Sequence, residues 1–477
     1  MAGNGTRTKK SFPVFDCDAH VNDPLEIWTK FVEPGERELV RNSYWRDSNG
    51  AILNGRLKAF GGEDSLFYPS YNSIEIAGPG MTKEVKRRLV FSRLNDEQRE
   101  YLKHKGAFNA KARLRDMDLM GIDQVLVIGT MVNQNYPFIE SPEGARAFAR
   151  AYNNWAADWC TTSPDRLFFA GLIPLQSPEY AVAEIKRLKT LGSPVGLIRP
   201  IDAQGQYPNR INPSYDRSPT WDPIYRAFEE TGLVVGMHTF PADHAAFLGD
   251  ANAMYSPGNL VSPTGHGEGV QQGLTSQTLS FIYEATVWLS QVLMSGFLDR
   301  YPKIKMAIFE SNAMWLPGVL ERLDRYYTLY ANERRVPAKR MPSQAFYDQC
   351  FISFESDEVP CFRQWDRFEN VGIWASDCYH HDGADVWSAI RRMNDAEVPE
   401  AVQAKMLGSN ALKLYGLQPK MYVTEEQPIE RPAWFPKDQE VQAFANVQKD
   451  PKLAREMMAK MAGAAGAQRS ASHGGGY

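Results

Sequence analysis

The chain has 477 residues, of which 43% are hydrophobic and 23% charged, and a formal net charge of -4. This is the composition of a globular protein large enough for one elaborate α/β domain or two to three smaller ones. Charges of both signs are interspersed, so no basic stripe invites nucleic acid, and no segment offers the roughly 18 consecutive apolar residues of a membrane span.

The start, "MAGNGTRTKKSFPVFD", lacks the apolar stretch of a secretory leader, which gives the cytosol as the expected compartment. Five widely spaced cysteines (Cys17, Cys160, Cys350, Cys361, Cys378) form no CxxC pair, so neither a disulfide framework nor a thiolate zinc site is expected. A small molecule remains the expected partner.

In chain order, residues 1–12 read as a flexible tail, and "FPVFDCDAHVND" opens the first strand. Residues of about 24–107 are too long for a simple connection and read as an insertion able to cover a site. From residue 108 a regular alternation sets in. "AKARLRDMDLMGI" is helical and "DQVLVIGT" a β-branched strand; "SPEGARAFARAYNNWAADWC" has a Ser/Pro helix start and leads into "DRLFFAGLIP". "SPEYAVAEIKRLKTLG" and "PVGLIRP", then "TWDPIYRAFEETG" and "LVVGMHTF", repeat the order, as do the segments ending in "KIKMAIFES", "CFISFE" and "VGIWASD".

The strands number eight, at 13–18, 123–130, 167–174, 195–200, 233–239, 304–310, 350–355 and 371–377. Buried strands alternating with helices imply a parallel sheet, and eight repeats predict a (β/α)8 TIM-type barrel over 13–417. Beyond it, 418–477 reads as a C-terminal arm suited to oligomer contacts, its last residues disordered.

Active sites of such barrels sit at the C-terminal ends of the strands. Asp16, Asp18 and His20 alternate there on the first strand, and a side-chain period of two points them one way. His238 ends "LVVGMH", Glu310 ends "MAIFE" and Asp377 ends "GIWASD". Burying such groups without a partner is costly, and a divalent cation is a common partner for carboxylates and neutral imidazoles. A donor set of nitrogen and oxygen without thiolate suits zinc, manganese or iron. A lone strand-end aspartate is more often a cap, but four or five together favour a metal site. Asp16 has a second reading, as a partner of backbone groups, and Cys17 reads as core. His244 and His266 fall in a long loop; His104 and His473 read as surface residues.

With these residues assembled, the sequence resembles the amidohydrolase superfamily, in the branch of aminocarboxymuconate-semialdehyde decarboxylase and the dihydroxybenzoate decarboxylases. The resemblance covers roughly residues 12–417 and rests on "FDCDAHVND", "RLRDMDLMGIDQVLV", "YNNWAADWC", "PDRLFFAGLIPLQ", "GMHTF", "GFLDRYPKIKMAIFESNAMWLPGVLERLD" and "WASDCYHHDG". It implies metal ligation by Asp18, His20, His238 and Asp377. Asp18 stands where these decarboxylases commonly carry histidine or glutamate, and Glu310 where several carry histidine. "SDCYHHDG" resembles the "SDYPH" form of many relatives, which makes His380 a sixth candidate.

The implied activity is that of a metal-dependent hydrolase or non-oxidative decarboxylase acting on a small, carboxylated molecule, with zinc the expected ion. Asp377 would ligate the metal and move a proton, with Glu310 or His380 as the second acid/base. Six ligands also suffice for two ions, as in a few superfamily members that look like dinuclear iron or iron–manganese monooxygenases. A third reading is a metal-binding partner subunit of a hetero-oligomer, and a homo-oligomer is equally in view. Arg199 is a candidate clamp for a substrate carboxylate and Trp315 a candidate pocket wall, though a surface arginine and a core tryptophan would look the same.

Overall fold

The computed structural model describes residues 7–21, 23–24, 26–42, 79–80, 85, 88–89, 94–102, 105–136, 139, 141–198, 222–239, 281–333, 338–380 and 382–456. Among them, eight strands lie side by side in sequence order, all parallel. They are β1 (Phe15–Val21), β2 (Gln124–Gly129), β3 (Leu167–Leu172), β4 (Val195–Ile198), β5 (Val234–His238), β6 (Met306–Phe309), β7 (Cys350–Glu355) and β8 (Gly372–Ala375). No helix of the described residues is long and apolar enough to cross a membrane.

Helix starts follow local chemistry. Ser141 and Ser177 accept the N–H groups of Gly144 and Tyr180, each followed by a proline whose missing N–H costs nothing there. Asn109 does the same for Ala112 at the start of Ala110–Met120, and that helix stops on Gly121 at φ 79°. A Cβ at Gly121 would lie 2.6 Å from the Trp387 ring, so both conformation and space demand glycine. These caps set the helices to return the chain to the sheet, where β1, β2, β4, β5, β6 and β8 are buried throughout.

The barrel closes just beyond β8. Asp377 N–H donates to Asp18 O at 3.0 Å, and His20 N–H to Cys378 O at 2.5 Å. The Asp16 carboxylate staples the same seam, accepting from Ser376 N–H at 2.9 Å and Ser376 Oγ at 2.5 Å. Burial pushes Asp16 up to about 7 while the Ser376 hydrogen bonds pull the other way.

β1 departs from expectation in two ways. It runs to Val21 rather than ending at residue 18, so Asp18 and His20 lie inside it. Its pairing with β2 also steps three residues, Asp16 to Ala19, against two, Val125 to Val127. One extra residue breaks the strict alternation, and Asp16 turns to the β8 seam while Asp18 and His20 serve the mouth.

The expectation of a loose start fails for residues 7–12. Lys10 N–H donates to Thr424 O, Glu426 N–H to Thr8 O, and Lys9 bridges Glu425 antiparallel to it. The beginning of the C-terminal arm is thus held on its own barrel. Further on, Phe435 and Val441 of the arm share a small apolar cluster with Val85, Leu89 and Leu102. Most of the expected insertion, and residues 457–477, lie outside the described residues.

A candidate metal centre at the barrel mouth

Asp18 and His20 from β1, His238 from the end of β5, Glu310 just past β6, and Asp377 and His380 past β8 converge on one point. His20 Nε2 is 3.3 Å from Asp18 Oδ1 and 3.5 Å from Asp377 Oδ1. His238 Nε2 is 3.3 Å from Glu310 Oε2 and 3.8 Å from Asp18 Oδ2. His380 Nδ1 is 2.9 Å from Asp377 Oδ1 and 3.5 Å from Glu310 Oε1. The His380 ring stacks on His20 at 3.7 Å, and His238 meets His20 edge-on at 5.3 Å. All six candidates from the sequence are therefore brought together.

The backbone is bent to achieve this. Glu310 and Asp377 both sit at φ 49°, a left-handed conformation that non-glycine residues enter at a cost of about 1–3 kcal/mol. Hydrogen bonds hold the β6 turn in place: Thr239 Oγ1 donates to Glu310 O at 2.5 Å, and the buried Glu358 carboxylate accepts Ala313 N–H at 2.8 Å and Asn312 Nδ2 at 3.2 Å.

Tautomers follow from the neighbours. His238 Nδ1 lies 2.7 Å from Thr239 O, an acceptor only, so Nδ1 carries the proton. Thr130 Oγ1 donates its single proton to Val21 O at 3.0 Å, so toward His20 Nδ1, 3.2 Å away, it accepts. With the proton on Nδ1, each ring turns its Nε2 toward the centre, where a cation would take up the lone pair. Sequence reasoning missed Thr130, although a polar residue directly after β2 obeys the same strand-end rule as the others.

Four atoms here, Asp18 Oδ1, His20 Nε2, His238 Nε2 and Asp377 Oδ1, are buried without a hydrogen-bond partner. Orphaned polar atoms are rare because each costs about 1–3 kcal/mol, so four facing one point call for a shared partner. Asp18, His20 and His238, and again His20, Asp377 and His380, have ligand atoms within 4.8 Å of one another. The set of carboxylate oxygens and neutral imidazole nitrogens fits a divalent cation.

Electrostatics agree. Burial raises Asp18 to about 6 against the pull of His238, and raises Asp377 well above the ordinary carboxylate range against the pull of His380. Burial holds His20 well below its usual value, with His380 and His238 adding to the effect. Burial also disfavours charge on His380, but the Asp377 and Glu310 carboxylates outweigh it and raise that imidazole well above its usual value. For Glu310 the penalty of burial is outweighed by His238 and His380, and the net shift is downward.

Of the two expected substrate contacts, Trp315 falls among the described residues. Trp315 Nε1 donates to Ser311 O at 3.0 Å and Asn312 O at 2.9 Å, so its indole braces the turn after Glu310. Arg199, together with His104, His244, His266, His381 and His473, lies outside the described residues.

The chain is similar to proteins of known structure and activity. Gamma-resorcylate decarboxylase from Rhizobium sp. (strain MTP-10005) is 23% identical over 328 residues, covering 64% of this chain and 86% of that protein. The solved amidohydrolase from Mycobacterium avium subsp. paratuberculosis K-10 superposes with a TM-score of 0.60 at 18% identity, over 86% of this chain and 99% of its own. 5-Carboxyvanillate decarboxylase from Novosphingobium aromaticivorans DSM 12444, solved with manganese and 4-hydroxy-3-methoxy-5-nitrobenzoic acid, gives a TM-score of 0.56 at 19% identity, over 85% of this chain and 97% of its own. The family description "Amidohydrolase" matches residues 15–417, from the first residue of β1 to beyond the last barrel helix. Barrel, strand-end donors and this match agree, and the chain belongs to the amidohydrolase family.

Proposed function

We propose that the protein is a metal-dependent, non-oxidative decarboxylase of a small aromatic acid whose carboxylate has a neighbouring hydroxyl. The observation that carries this reading is the set of four unpartnered buried atoms at the barrel mouth. Relatives that act on gamma-resorcylate and 5-carboxyvanillate support the substrate class. Asp18, His20, His238 and Asp377 would hold the cation. When bound, it would supply Lewis acidity and a fixed positive charge to attract an anionic substrate. Manganese is favoured over the zinc expected from sequence, because the solved relative holds manganese and the site has no thiolate.

The protein's own residues then handle one proton. Decarboxylation adds H⁺ to the ring carbon bearing the carboxylate; the C–C bond breaks, its electron pair returns to the ring, and CO2 leaves. His380 Nδ1 and the Asp377 carboxylate, whose Oδ1 is 2.9 Å away, are the groups that would pass the proton once the cation is bound, and Glu310 Oε1, 3.5 Å from the same nitrogen, favours the charged imidazole. Glu310 and His380 thus serve proton transfer rather than a second ion. The reported relatives give the dinuclear monooxygenase no support, and a partner-subunit role is not needed where one chain gathers all six groups. Arg199 is kept as a carboxylate clamp, and Trp315 as a brace of the pocket wall. A cytosolic oligomer is the accompanying expectation, checked by light scattering and fractionation.

The test is to strip the protein of metal, reload it with manganese, zinc or iron(II), and offer 2-hydroxybenzoates and carboxyvanillate. CO2 and the corresponding phenol should appear one to one without O2 uptake. Loaded protein that consumes O2, or that only hydrolyses esters and amides, would overturn the reading.

A further inference from the structure

Arg113 is a buried cation that the reaction does not use. Its side chain is only 1% exposed, and no carboxylate among the described residues comes within ion-pair distance of it. Burying a guanidinium without an ion partner is expensive. Its compensations are carbonyls and ring faces. Arg113 Nη2 donates to His20 O, and Nε donates to Gly106 O at 2.8 Å. The guanidinium also lies 4.6 Å from the centre of the Tyr379 ring and 5.6 Å from that of Trp159.

These contacts have one geometric effect. The helix Ala110–Met120 grips the end of β1 through the backbone of His20, and grips the turn after β8 through Tyr379, the residue before His380. The second grip is double, because Tyr379 Oη donates to Asp116 Oδ2 at 2.5 Å, one helical turn along from Arg113. The space is full: a Cβ at Gly106 would lie 2.1 Å from Tyr379 Oη. His20 and His380, whose rings stack, are thus both referenced to a single helix.

We infer that Arg113, with Asp116 and Tyr379, is a positioning device that sets the relative placement of His20 and His380 and so the geometry of the metal centre. This rests on the reading of the cluster as a metal site. Arginine is required because only a planar fork can bond two carbonyls while lying over two aromatic rings; lysine supplies the charge but neither feature.

Arg166 offers an internal control. It is also buried, bonds the carbonyls of Asp123 at 2.9 Å and Ile122 at 3.0 Å, and stacks 4.3 Å from the Tyr422 ring, but it lies at the opposite end of β2 and, unlike Arg113, has a carboxylate partner, Asp118 at 2.8 Å. The experiment is titration of the metal-free full chain with cobalt(II), read by calorimetry and visible absorption. Wild type should bind one cobalt; if it binds none, the metal reading itself fails. R113K should bind cobalt roughly tenfold more weakly with a shifted absorption band, as for changes behind metal ligands generally. R166K should lose comparable thermal stability with affinity and band unchanged. Should R113K fail to fold, Tyr379→Phe, which keeps the ring and loses the bond to Asp116, should shift the band in the same direction. Wild-type affinity and spectrum in the readable variant, or an equal shift in R166K, would overturn the inference.

Discussion

His380 Nδ1 and Asp377 Oδ1 face each other at 2.9 Å, the shortest approach between an imidazole and a carboxylate among the six residues of the mouth. In the proposed reaction this pair would hold the transferred proton beside the metal, and its two members should respond differently to mutation. Asp377→Asn removes both a ligand and the proton acceptor, so metal affinity and kcat should fall together. His380→Gln should lower kcat by about 10²–10⁴-fold, the range of a positioned acid or base, with metal affinity held within a few-fold. Calorimetry beside CO2 release checks the split. Equal loss of affinity in both variants would make His380 a ligand instead.

Metal affinity should rise with pH. In the metal-free site burial raises Asp18 to about 6 and lifts Asp377 well above the ordinary carboxylate range, so at low pH protons occupy the positions a cation needs. Binding must displace them, and the apparent affinity should climb as pH rises through 6. Calorimetry in two buffers of different ionisation enthalpy should show proton release at pH 6. A pH-independent affinity with no release would contradict the assigned protonation.

The same shift carries a stability consequence. Asp18 is raised from an ordinary value near 4 to about 6 in the folded chain, so its contribution is fully present below the unfolded value and is lost as pH rises through 6. Two units correspond to roughly 3 kcal/mol. In EDTA, Asp18→Asn should therefore melt at least as high as wild type at pH 7.5, while losing the rise in Tm on adding manganese. A lower metal-free Tm for the variant would show that Asp18 stabilises the fold without its cation.

How far the sequence revealed this site is clear from individual residues. Glu310, Asp377 and His238 were legible because each is ionisable and directly follows an apolar strand, a pattern that a barrel turns into proximity. Asp18 and His20 were legible for the right end of the strand, but by an alternation that the extra residue between Asp16 and Ala19 disrupts. Asp16 belongs to the seam with Ser376, and no local pattern signals a partner 360 positions away. Arg113 was hidden for another reason. An arginine in "AKARLRD" reads as a solvated helix face, and only the tertiary approach of His20 and Tyr379 buries it. β7 matches its expected bounds, and each of the other seven strands differs at one end or both, because the period marks where a strand runs but ladder bonds decide where it stops.

At the far end of the barrel, Asp123 is the test of what the C-terminal arm does. Its carboxylate accepts from Lys10 Nζ, from Val14 N–H at 2.8 Å, and from the N–H groups of Tyr422 at 2.6 Å and Val423 at 3.1 Å. The neighbouring Gln124 adds Lys420 N–H at 3.1 Å to its Oε1. Both side chains of the Lys10–Asp123 pair are fully buried, so removing one partner leaves an uncompensated charge and costs about 3–5 kcal/mol. Asp123→Ala should therefore lower Tm and release the arm, seen as faster tryptic cleavage after Lys420. Adding Lys10→Met should recover part of the Tm, because no cation is then stranded, but not the protection, because Tyr422 and Val423 still lack their acceptor. Manganese affinity should be unchanged in both variants, since the mouth lies at the other end of β1 and β2. Wild-type protection of Lys420 in Asp123→Ala would mean that Phe435 and Val441, packed on Val85 and Leu89, hold the arm without this latch.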